Sequence, residues 1–183
     1  SESHPERTGR GARFPDHWEE PESHHGHYTK AQMRDLIRYA ADRHVTSVPE
    51  SEVPGHSLAA LSVYPHLACA GGPFEIHPFF KGDHIHEDIL CAGNDDTFRF
   101  LEEVLGEEID LSPSEVIHVG GDEAPKGRWQ ACAKCQKRIR DEGLHDEEEL
   151  QSWFIERVGR FVESRGKRII GWDEILQGGL PPG

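Results

Sequence analysis

Residues 116–123 read VIHVGGDE: a short run rich in β-branched residues that ends in two glycines and two carboxylates. A similar run, RIIGWDE, occupies residues 168–174. Apolar runs that are bounded by glycine in this way are typical of short buried strands. Between them, residues 147–165 carry apolar side chains at helical spacing. A strand, a helix and a second strand in this order predict a right-handed βαβ unit, and therefore a parallel sheet.

The same alternation continues toward the N-terminus. Thr29 and Gln32 have the spacing of a capping box, which predicts that a helix begins near Tyr28. A β-branched run at 45–48 predicts a strand, and we expect all three strands to be buried on both faces. The other predicted elements are a long loop at 51–92, a helix from Asn94 to before Pro113 with Phe98, Leu101, Leu105 and Ile109 on one face, and a short helix at 129–142.

Two architectures satisfy this alternation, a doubly wound sheet and a (β/α)₈ barrel. Three strands are too few for either, and a full barrel needs about 250 residues, whereas the chain has 183. We therefore interpret the chain as α/β, with residues 28–183 forming the central part of a larger domain. Residues 1–27 are polar, rich in proline and without periodicity, so we expect a long loop or lead-in there.

The composition makes some classes of binding partner unfavourable. Lysine and arginine number 20 against 34 aspartates and glutamates, which gives a net charge of −14. This charge disfavours nucleic acid and anionic membranes as partners, and no apolar run approaches the ~18 residues of a membrane span. The chain starts at Ser1 without a signal-peptide pattern, so we expect the native N-terminus to lie upstream. The compartment stays open, and a secreted or periplasmic location is compatible with the sequence.

Charged and aromatic residues follow each predicted strand. The carboxyl ends of parallel strands meet at one edge of the sheet, where α/β enzymes carry their chemistry. Asp122 and Glu123 follow the diglycine and can point into one cleft. Their mutual repulsion and partial burial predict one raised pKa, so that one group serves as acid and the other as base. The other strand ends bring Glu50, Trp172 and Asp173 to the same edge.

Two further residues, His56 and Trp172, allow more than one interpretation. His56 is either a structural histidine or, beside Glu50 and Glu52, a metal ligand. Trp172 is either a core residue or, because it follows a glycine at a strand end, a stacking wall for a sugar. Trp153 falls on the apolar stripe of the predicted helix at 147–165, and we assign it to packing.

Four motifs together carry a family resemblance. They are PGH at 54–56, CAGN at 91–94, HVGGDE at 118–123 and GWDE at 171–174. With these motifs in this order and spacing, the chain resembles the family 20 glycoside hydrolases, the β-N-acetylhexosaminidases, over residues 28–180. The resemblance implies a (β/α)₈ barrel of which the chain is a part, with the predicted strands as about the third to the fifth. It also implies hydrolysis of terminal non-reducing N-acetyl-D-hexosamine residues of glycans.

The resemblance further implies roles for individual residues. Glu123 matches the general acid, which later activates water, and Asp122 matches the residue that holds the acetamido N–H of the substrate. The acetamido oxygen is then the nucleophile, and the configuration is retained. His56 matches the histidine that tunes the acid. Trp172 matches one wall of the acetamido pocket, and the residues expected to bind substrate are Trp172, Asp173 and Glu50.

The sequence departs from the family pattern in two respects. Ser51 stands between Glu50 and Glu52 in place of an apolar residue, which loosens the packing expected there. An arginine that holds sugar hydroxyls and an aspartate that partners the histidine normally come from preceding strands, and no residue of this chain matches them. We therefore expect the chain alone to be poorly stable and nearly inactive, because its sheet edges and helix faces lack partners.

Two other functions stay open at the level of sequence. One is a metal-dependent sugar hydrolase or deacetylase, whose ligands would be His56, His118, Asp122 and Glu123. The other is an inactive or carbohydrate-binding fragment of a glycosidase. An intact Asp122–Glu123 pair argues against a degenerate ancestor, whereas the missing strands argue for inactivity of the chain alone.

The cysteines are a separate question. Cys132 and Cys135 form a C-x-x-C pair, which is half of a zinc site. Its nearest complement is Cys69, Cys91 or the histidines. A zinc site, a redox or disulfide pair and ordinary loop cysteines are all compatible with the sequence. Ordinary loop cysteines are favoured, so we expect no metal and no cofactor.

Overall fold

The computed structural model describes residues 26–74 and 86–179, so most of the predicted lead-in at 1–27 lies outside the described residues. Within the described ranges, short strands alternate with longer helices. The α-helices are α1 (Lys30–Ala41), α2 (Leu58–Val63), α3 (Asp95–Leu111), α4 (Gly127–Ala131), α5 (Ala133–Glu142) and α6 (Glu147–Ser164), the strands are β1 (Val116–His118) and β2 (Arg168–Ile170), and 3₁₀ helices lie at Pro65–Leu67 and Asp173–Leu176.

The sheet is parallel, as predicted. β1 and β2 pair with Val116 opposite Arg168 and His118 opposite Ile170. The chain leaves β1, passes through α4, α5 and α6, and returns to β2 in the same direction, which confirms the βαβ unit. Residues 49–53 run along the other side of β1, where the N–H of His118 donates to the Pro49 carbonyl at 3.0 Å. β1 is therefore the central strand of the described sheet.

The strand predicted at 45–48 is wrong in position. No strand forms there, and pairing with β1 begins at Pro49 and continues to Val53, whose N–H donates to the Val119 carbonyl at 3.1 Å. Val45 and Val48 are 59% and 40% exposed. β-branched residues favour strands because they pack on a pleated surface, and this segment finds no such surface among the described residues.

The expectation that every strand is buried on both faces is also corrected. Ile117 at the centre of β1 is fully buried, but β2 is exposed at both of its ends, and Ile170 is 42% exposed. β1 has a neighbour on each side, whereas β2 pairs only with β1 among the described residues. A strand with one neighbour keeps a row of unpaired backbone groups.

Helices α3 and α6 form the main layer beside the sheet. The side chain of Asn94 accepts a hydrogen bond from the Asp96 N–H and caps α3, and Asp146 caps α6 in the same way. The predicted α3 stripe is confirmed, since its four apolar residues are all buried. Phe98 on this stripe packs against Phe154 of α6, with ring centroids 4.9 Å apart. Trp153 lies edge-on to Phe98 at 5.5 Å, which confirms its packing role.

The capping box predicted at the start of α1 is confirmed by reciprocal hydrogen bonds between Thr29 and Gln32. α1 buries none of its residues, and an ion pair of 2.7 Å between Lys30 and Glu107 joins it to α3. The predicted loop at 51–92 contains α2 and a 3₁₀ helix, and a bridge between Ala68 and Leu90 closes it. In the described part of the chain, no helix combines the length and the apolarity that a membrane span needs.

Candidate active site

The carboxyl end of β1 turns sharply because of its two glycines. Gly120 and Gly121 have φ values of +66° and +100°, which favour glycine. A Cβ on Gly120 would lie 1.9 Å from the Glu52 carboxylate, and a Cβ on Gly121 would lie 2.2 Å from Ile175. The diglycine therefore serves both the backbone turn and the space beside it. This turn moves the following Asp122 out of the strand alternation.

Glu52 fills the space that Gly120 leaves. Its carboxylate accepts a hydrogen bond of 2.8 Å from the N–H of Gly121. Burial, a hydrogen bond shared with Asp122 and the charges of Asp122 and Glu50 raise the pKa of Glu52 to about 7. From the sequence we expect a raised pKa for one member of the Asp122–Glu123 pair and consider Glu52 only as a neighbour of His56, whereas the raised pKa that the structure gives is that of Glu52.

Asp122, Glu123 and His56 lie together, as the sequence predicts. Nε2 of His56 is 3.7 Å from Oδ2 of Asp122 and 3.6 Å from Oε2 of Glu123. Both distances exceed a good hydrogen bond but fit groups that tighten around a substrate. His56 and Glu123 have φ values of 47° and 46°, a conformation that non-glycine residues seldom adopt. Strained residues of this kind cluster at functional sites.

Backbone contacts and hydrogen bonds fix the loop that carries His56. Gly55 approaches Asp122 so closely that a Cβ would lie 3.1 Å from its carbonyl oxygen. The Ser57 hydroxyl donates to the Gly55 carbonyl at 2.8 Å. The N–H of Leu90 donates to the Pro54 carbonyl at 3.0 Å. These contacts explain why the sequence uses Pro-Gly-His here: the small residue lets the imidazole reach the carboxylates.

A second group of polar and aromatic side chains lies across the ends of β1 and β2. Nδ1 of His118 is 3.1 Å from Oε1 of Glu50. The Trp172 ring lies edge-on to His118 at 5.0 Å and is 49% exposed, so it is not a core residue. An indole that is half exposed at a strand end has a face available for stacking. Asp173 is exposed at the start of the second 3₁₀ helix.

A cleft with a volume of about 450 Å³ opens beside the diglycine turn. Glu123 lines it, together with Glu148, Gln151 and Glu174. His56, Asp122, Trp172 and Asp173 do not line this cleft. Glu123 therefore lines the cleft and also approaches His56, at 3.6 Å.

The sequence misses a buried polar residue that supports the turn. Gln151 on α6 is 2% exposed, and its Nε2 donates to the Gly121 carbonyl at 2.6 Å. Lys126 donates to Oε1 of Gln151 at 2.5 Å and lies 3.3 Å from Glu148. A signal exists in the sequence, since Gln151 precedes Ile155 and Val158 at helical spacing on the buried face of α6.

The metal-binding alternative is met only in part. One ligand atom from each of His56, Asp122 and Glu123 lies within 4.8 Å of the other two. His118, the fourth expected ligand, does not belong to this group and faces Glu50 instead. The three groups that do meet are also those that acid–base chemistry needs.

Comparison with known proteins agrees with the motifs. The model of the family described as glycosyl hydrolase family 20, catalytic domain, matches residues 1–182. A protein of Porphyromonas gingivalis named β-hexosaminidase is 52% identical over 157 residues, which are 86% of this chain. That alignment covers 20% of the Porphyromonas protein, so the chain spans a small part of the length of this relative.

Solved structures show the same relationship. A β-N-acetylhexosaminidase from Bacteroides fragilis matches 86% of this chain and 30% of its own, with a TM-score of 0.72 and 39% identity. An exo-β-N-acetylglucosaminidase from Vibrio harveyi, solved in complex with N-acetylglucosamine, matches 80% of this chain and 23% of its own. Its TM-score is 0.69 at 32% identity. The fold is thus part of their shared α/β barrel, and the doubly wound alternative is wrong.

Proposed function

Because this chain belongs to glycosyl hydrolase family 20, we propose that it supplies the central part of a catalytic barrel that removes terminal N-acetyl-D-hexosamine residues from glycans. In this proposal, residues 28–183 form that part. The observation that carries the proposal is that the carboxylates of Asp122 and Glu123 both lie within 3.7 Å of Nε2 of His56, at the carboxyl end of a central parallel strand. The Porphyromonas and Bacteroides relatives carry names of the same activity.

Glu123 is the proposed general acid. Its side chain is 49% exposed, so it can reach a glycosidic oxygen, and His56 approaches it at 3.6 Å. His56 is proposed to tune this acid, because its imidazole can hydrogen-bond to the carboxylate when the site tightens around a substrate. After the leaving group departs, the same carboxylate takes a proton from water.

Asp122 is proposed to act on the acetamido group of the substrate. It is more enclosed than Glu123, with a side chain that is 26% exposed. Its carboxylate shares a hydrogen bond with Glu52, and its Oδ2 lies 3.7 Å from Nε2 of His56. A carboxylate that is held in this way keeps further lone pairs, with which it can accept the amide N–H of a sugar. The acetamido oxygen then attacks the anomeric carbon, and water opens the resulting ring with overall retention.

The proposed sugar-binding residues are supported to different degrees. Trp172 offers a half-exposed indole beside His118, which suits stacking against a pyranose ring. Glu50 is half exposed next to the same histidine and can accept hydroxyl hydrogen bonds. Asp173 stays a prediction from the family motif, because it lies outside the cleft beside Glu123.

The decisive experiment measures whether the acetamido group takes part. The full-length polypeptide that carries this chain should hydrolyse an aryl β-N-acetylglucosaminide and leave the matching aryl β-glucoside almost untouched. Asp122→Asn should lower kcat strongly and KM less, because preorganised charge acts mainly in the transition state. A thiazoline mimic of the cyclised intermediate should bind the parent well and the variant poorly.

The inactive-fragment and metal-hydrolase alternatives predict other results. Equal turnover of the glucoside and the acetamido sugar, or a covalent glycosyl adduct on Asp122, would contradict the proposal. Deacetylation of the sugar without cleavage of the glycosidic bond would favour the metal-dependent alternative. Binding of the sugar without any turnover would favour a carbohydrate-binding role.

A further inference from the structure

The four cysteines lie together in one cluster, although the sequence favours ordinary loop cysteines. Sγ of Cys135 is 3.6 Å from Sγ of Cys69 and 3.6 Å from Sγ of Cys91. Sγ of Cys91 is 3.8 Å from Sγ of Cys132. All four sulfurs lie within 4.8 Å of one another. Cys91 and Cys135 are buried, and the other two are partly exposed.

These distances fit a tetrahedron around one ion. Zinc bound by thiolates has Zn–S bonds of about 2.3 Å, so the sulfurs at the corners of the tetrahedron are about 3.8 Å apart. A disulfide would need one pair at about 2.05 Å. Sγ of Cys135 is instead equally far from Sγ of Cys69 and Sγ of Cys91. This arrangement fits a metal ion that all the sulfurs share better than a disulfide between two of them.

Two separate pieces of the chain build the cluster. An antiparallel bridge between Ala68 and Leu90 holds together the two segments that carry Cys69 and Cys91. Cys132 is the N-cap of α5, and Cys135 lies in its first turn. The C-x-x-C pair thus faces a pair from a loop, as in many structural zinc sites.

Gly93, two residues after Cys91, lets these two pieces of the chain meet. A Cβ on Gly93 would lie 2.2 Å from the Lys134 carbonyl carbon and 2.4 Å from the Cys135 nitrogen. The close approach that Gly93 allows therefore brings the segment that carries Cys91 against the first turn of α5, which carries Cys135.

We propose that Cys69, Cys91, Cys132 and Cys135 bind a single structural Zn²⁺ as a closed tetrathiolate site. When zinc binds, the protons of the cysteine thiols are released to solvent, and no electrons are transferred. Tetrahedral sulfur sites select zinc or iron. A site with four protein ligands has no open position for a substrate, so its role is structural. This revises the expectation of a chain without metal.

Hydrogen bonds connect the cysteine cluster to the loop that carries His56. Leu90 precedes Cys91, and its N–H donates to the Pro54 carbonyl two residues before His56. The Leu90 carbonyl accepts a hydrogen bond of 2.9 Å from Nε1 of Trp129, which is fully buried in α4. A metal that fixes Cys91 therefore fixes the strand segment on which the His56 loop rests.

Metal content tests the proposal without any assay of sugar hydrolysis. The full-length polypeptide, purified without chelator, should contain one zinc ion per chain when its metal content is measured by inductively coupled plasma mass spectrometry. Its four cluster thiols should resist a thiol reagent until a mercurial releases the zinc. Exchange for Co²⁺ should give the visible bands of a tetrahedral cobalt thiolate.

Variants separate ligands from their neighbours. Cys132→Ser and Cys69→Ser, both at partly exposed positions, should lower the zinc content to background and lower the melting temperature. Lys134→Ala lies between the two helix cysteines and is exposed, so this control should retain one zinc. If a serine variant fails to fold, the zinc content and thiol protection of the parent still decide.

Three outcomes would overturn the proposal. They are a parent protein without metal and with four reactive thiols, a parent with two disulfides by mass, and a parent with iron instead of zinc. Failure of the sugar-hydrolysis experiment would leave the metal content unchanged, because Asp122 and Glu123 are not among the proposed ligands.

Discussion

Asp122 and Glu123 are neighbours in the chain, yet the backbone gives their carboxylates different surroundings. The side chain of Asp122 is 26% exposed and that of Glu123 is 49% exposed. Glu123 also has a positive φ of 46°, which Asp122 does not have. One carboxylate can therefore hold a fixed group while the other exchanges protons.

Glu123→Gln should separate leaving groups by their need for protonation. Hydrolysis of substrates with poor leaving groups should fall by about 10²–10⁴-fold, whereas activated phenols should be affected much less. The measurement is kcat/KM for a series of aryl N-acetylglucosaminides in the full-length enzyme. Equal losses across the series would remove Glu123 from the role of acid.

Glu52→Gln should change how stability depends on pH. The folded protein holds a proton on Glu52 up to a pKa of about 7, whereas the ordinary value is 4.5. The stability from this proton is complete below pH 4.5 and is lost as the pH rises through about 7. Melting temperatures across this window should fall less in Glu52→Gln than in the parent. The control Glu103→Gln alters an exposed carboxylate on α3 and should leave the parent slope unchanged.

Gly120→Ala should test the double role of the diglycine. Gly143 has a similar φ of +69°, but a Cβ there would meet nothing within 4 Å. Gly143→Ala should therefore lower the free energy of unfolding by the backbone cost alone, about 1–2 kcal/mol. Gly120→Ala should lower it further and reduce turnover, because it displaces Glu52. Equal melting temperatures for the two variants would contradict this.

The sequence predicts which carboxylates matter better than it predicts how they are supported. Asp122, Glu123 and His56 come from strand ends and motifs, and the structure brings them together. The burial of Glu52 depends on the missing Cβ of Gly120, sixty-eight positions away. Such a contact leaves no local pattern, so only the folded chain shows it.

At the scale of elements, α6 connects the core to the candidate active site. Its apolar residues pack on α3 and β2, and its buried Gln151 reaches the turn after β1. A helix with strong apolar periodicity is the easiest element to predict, and the predicted range of 147–165 differs by one residue from Glu147–Ser164.

Gln151→Leu should weaken the turn and the fold together. The Gly121 carbonyl and the Lys126 ammonium would each lose a hydrogen-bond partner. An unsatisfied buried polar group costs about 1–3 kcal/mol, so the melting temperature and kcat should both fall. Gln130→Leu on the exposed side of α4 is the matched control. A variant that is as stable and as active as this control would show that the turn holds without Gln151.

The positions of short strands are harder to predict from the sequence than those of helices. β1 and β2 match their predicted positions, because each is a short apolar run that is followed by glycine. The β-branched residues at 45–48 look like a strand but lie just before the paired segment. Pairing is a property of two segments, and the composition of one cannot fix its register.

At the scale of the whole molecule, the sheet and α1 carry uncovered surface. β2 has one partner among the described residues, and Leu36 and Tyr39 of α1 are 46% and 59% exposed. We expect the 183-residue chain, expressed alone, to aggregate and to show almost no turnover of an aryl N-acetylglucosaminide. Size-exclusion chromatography and thermal melting would check this. A monodisperse, cooperatively melting and fully active sample would contradict it.

The left-handed backbone at His56 and Glu123 sets a trade-off for anyone who engineers this protein. Glycine would relax either position, because its φ of 47° or 46° carries no penalty without a Cβ. A screen that rewards only melting temperature would therefore favour the loss of the two side chains proposed for acid catalysis. Selection for thermostability has to be paired with selection for turnover, or it will remove the activity it was meant to preserve.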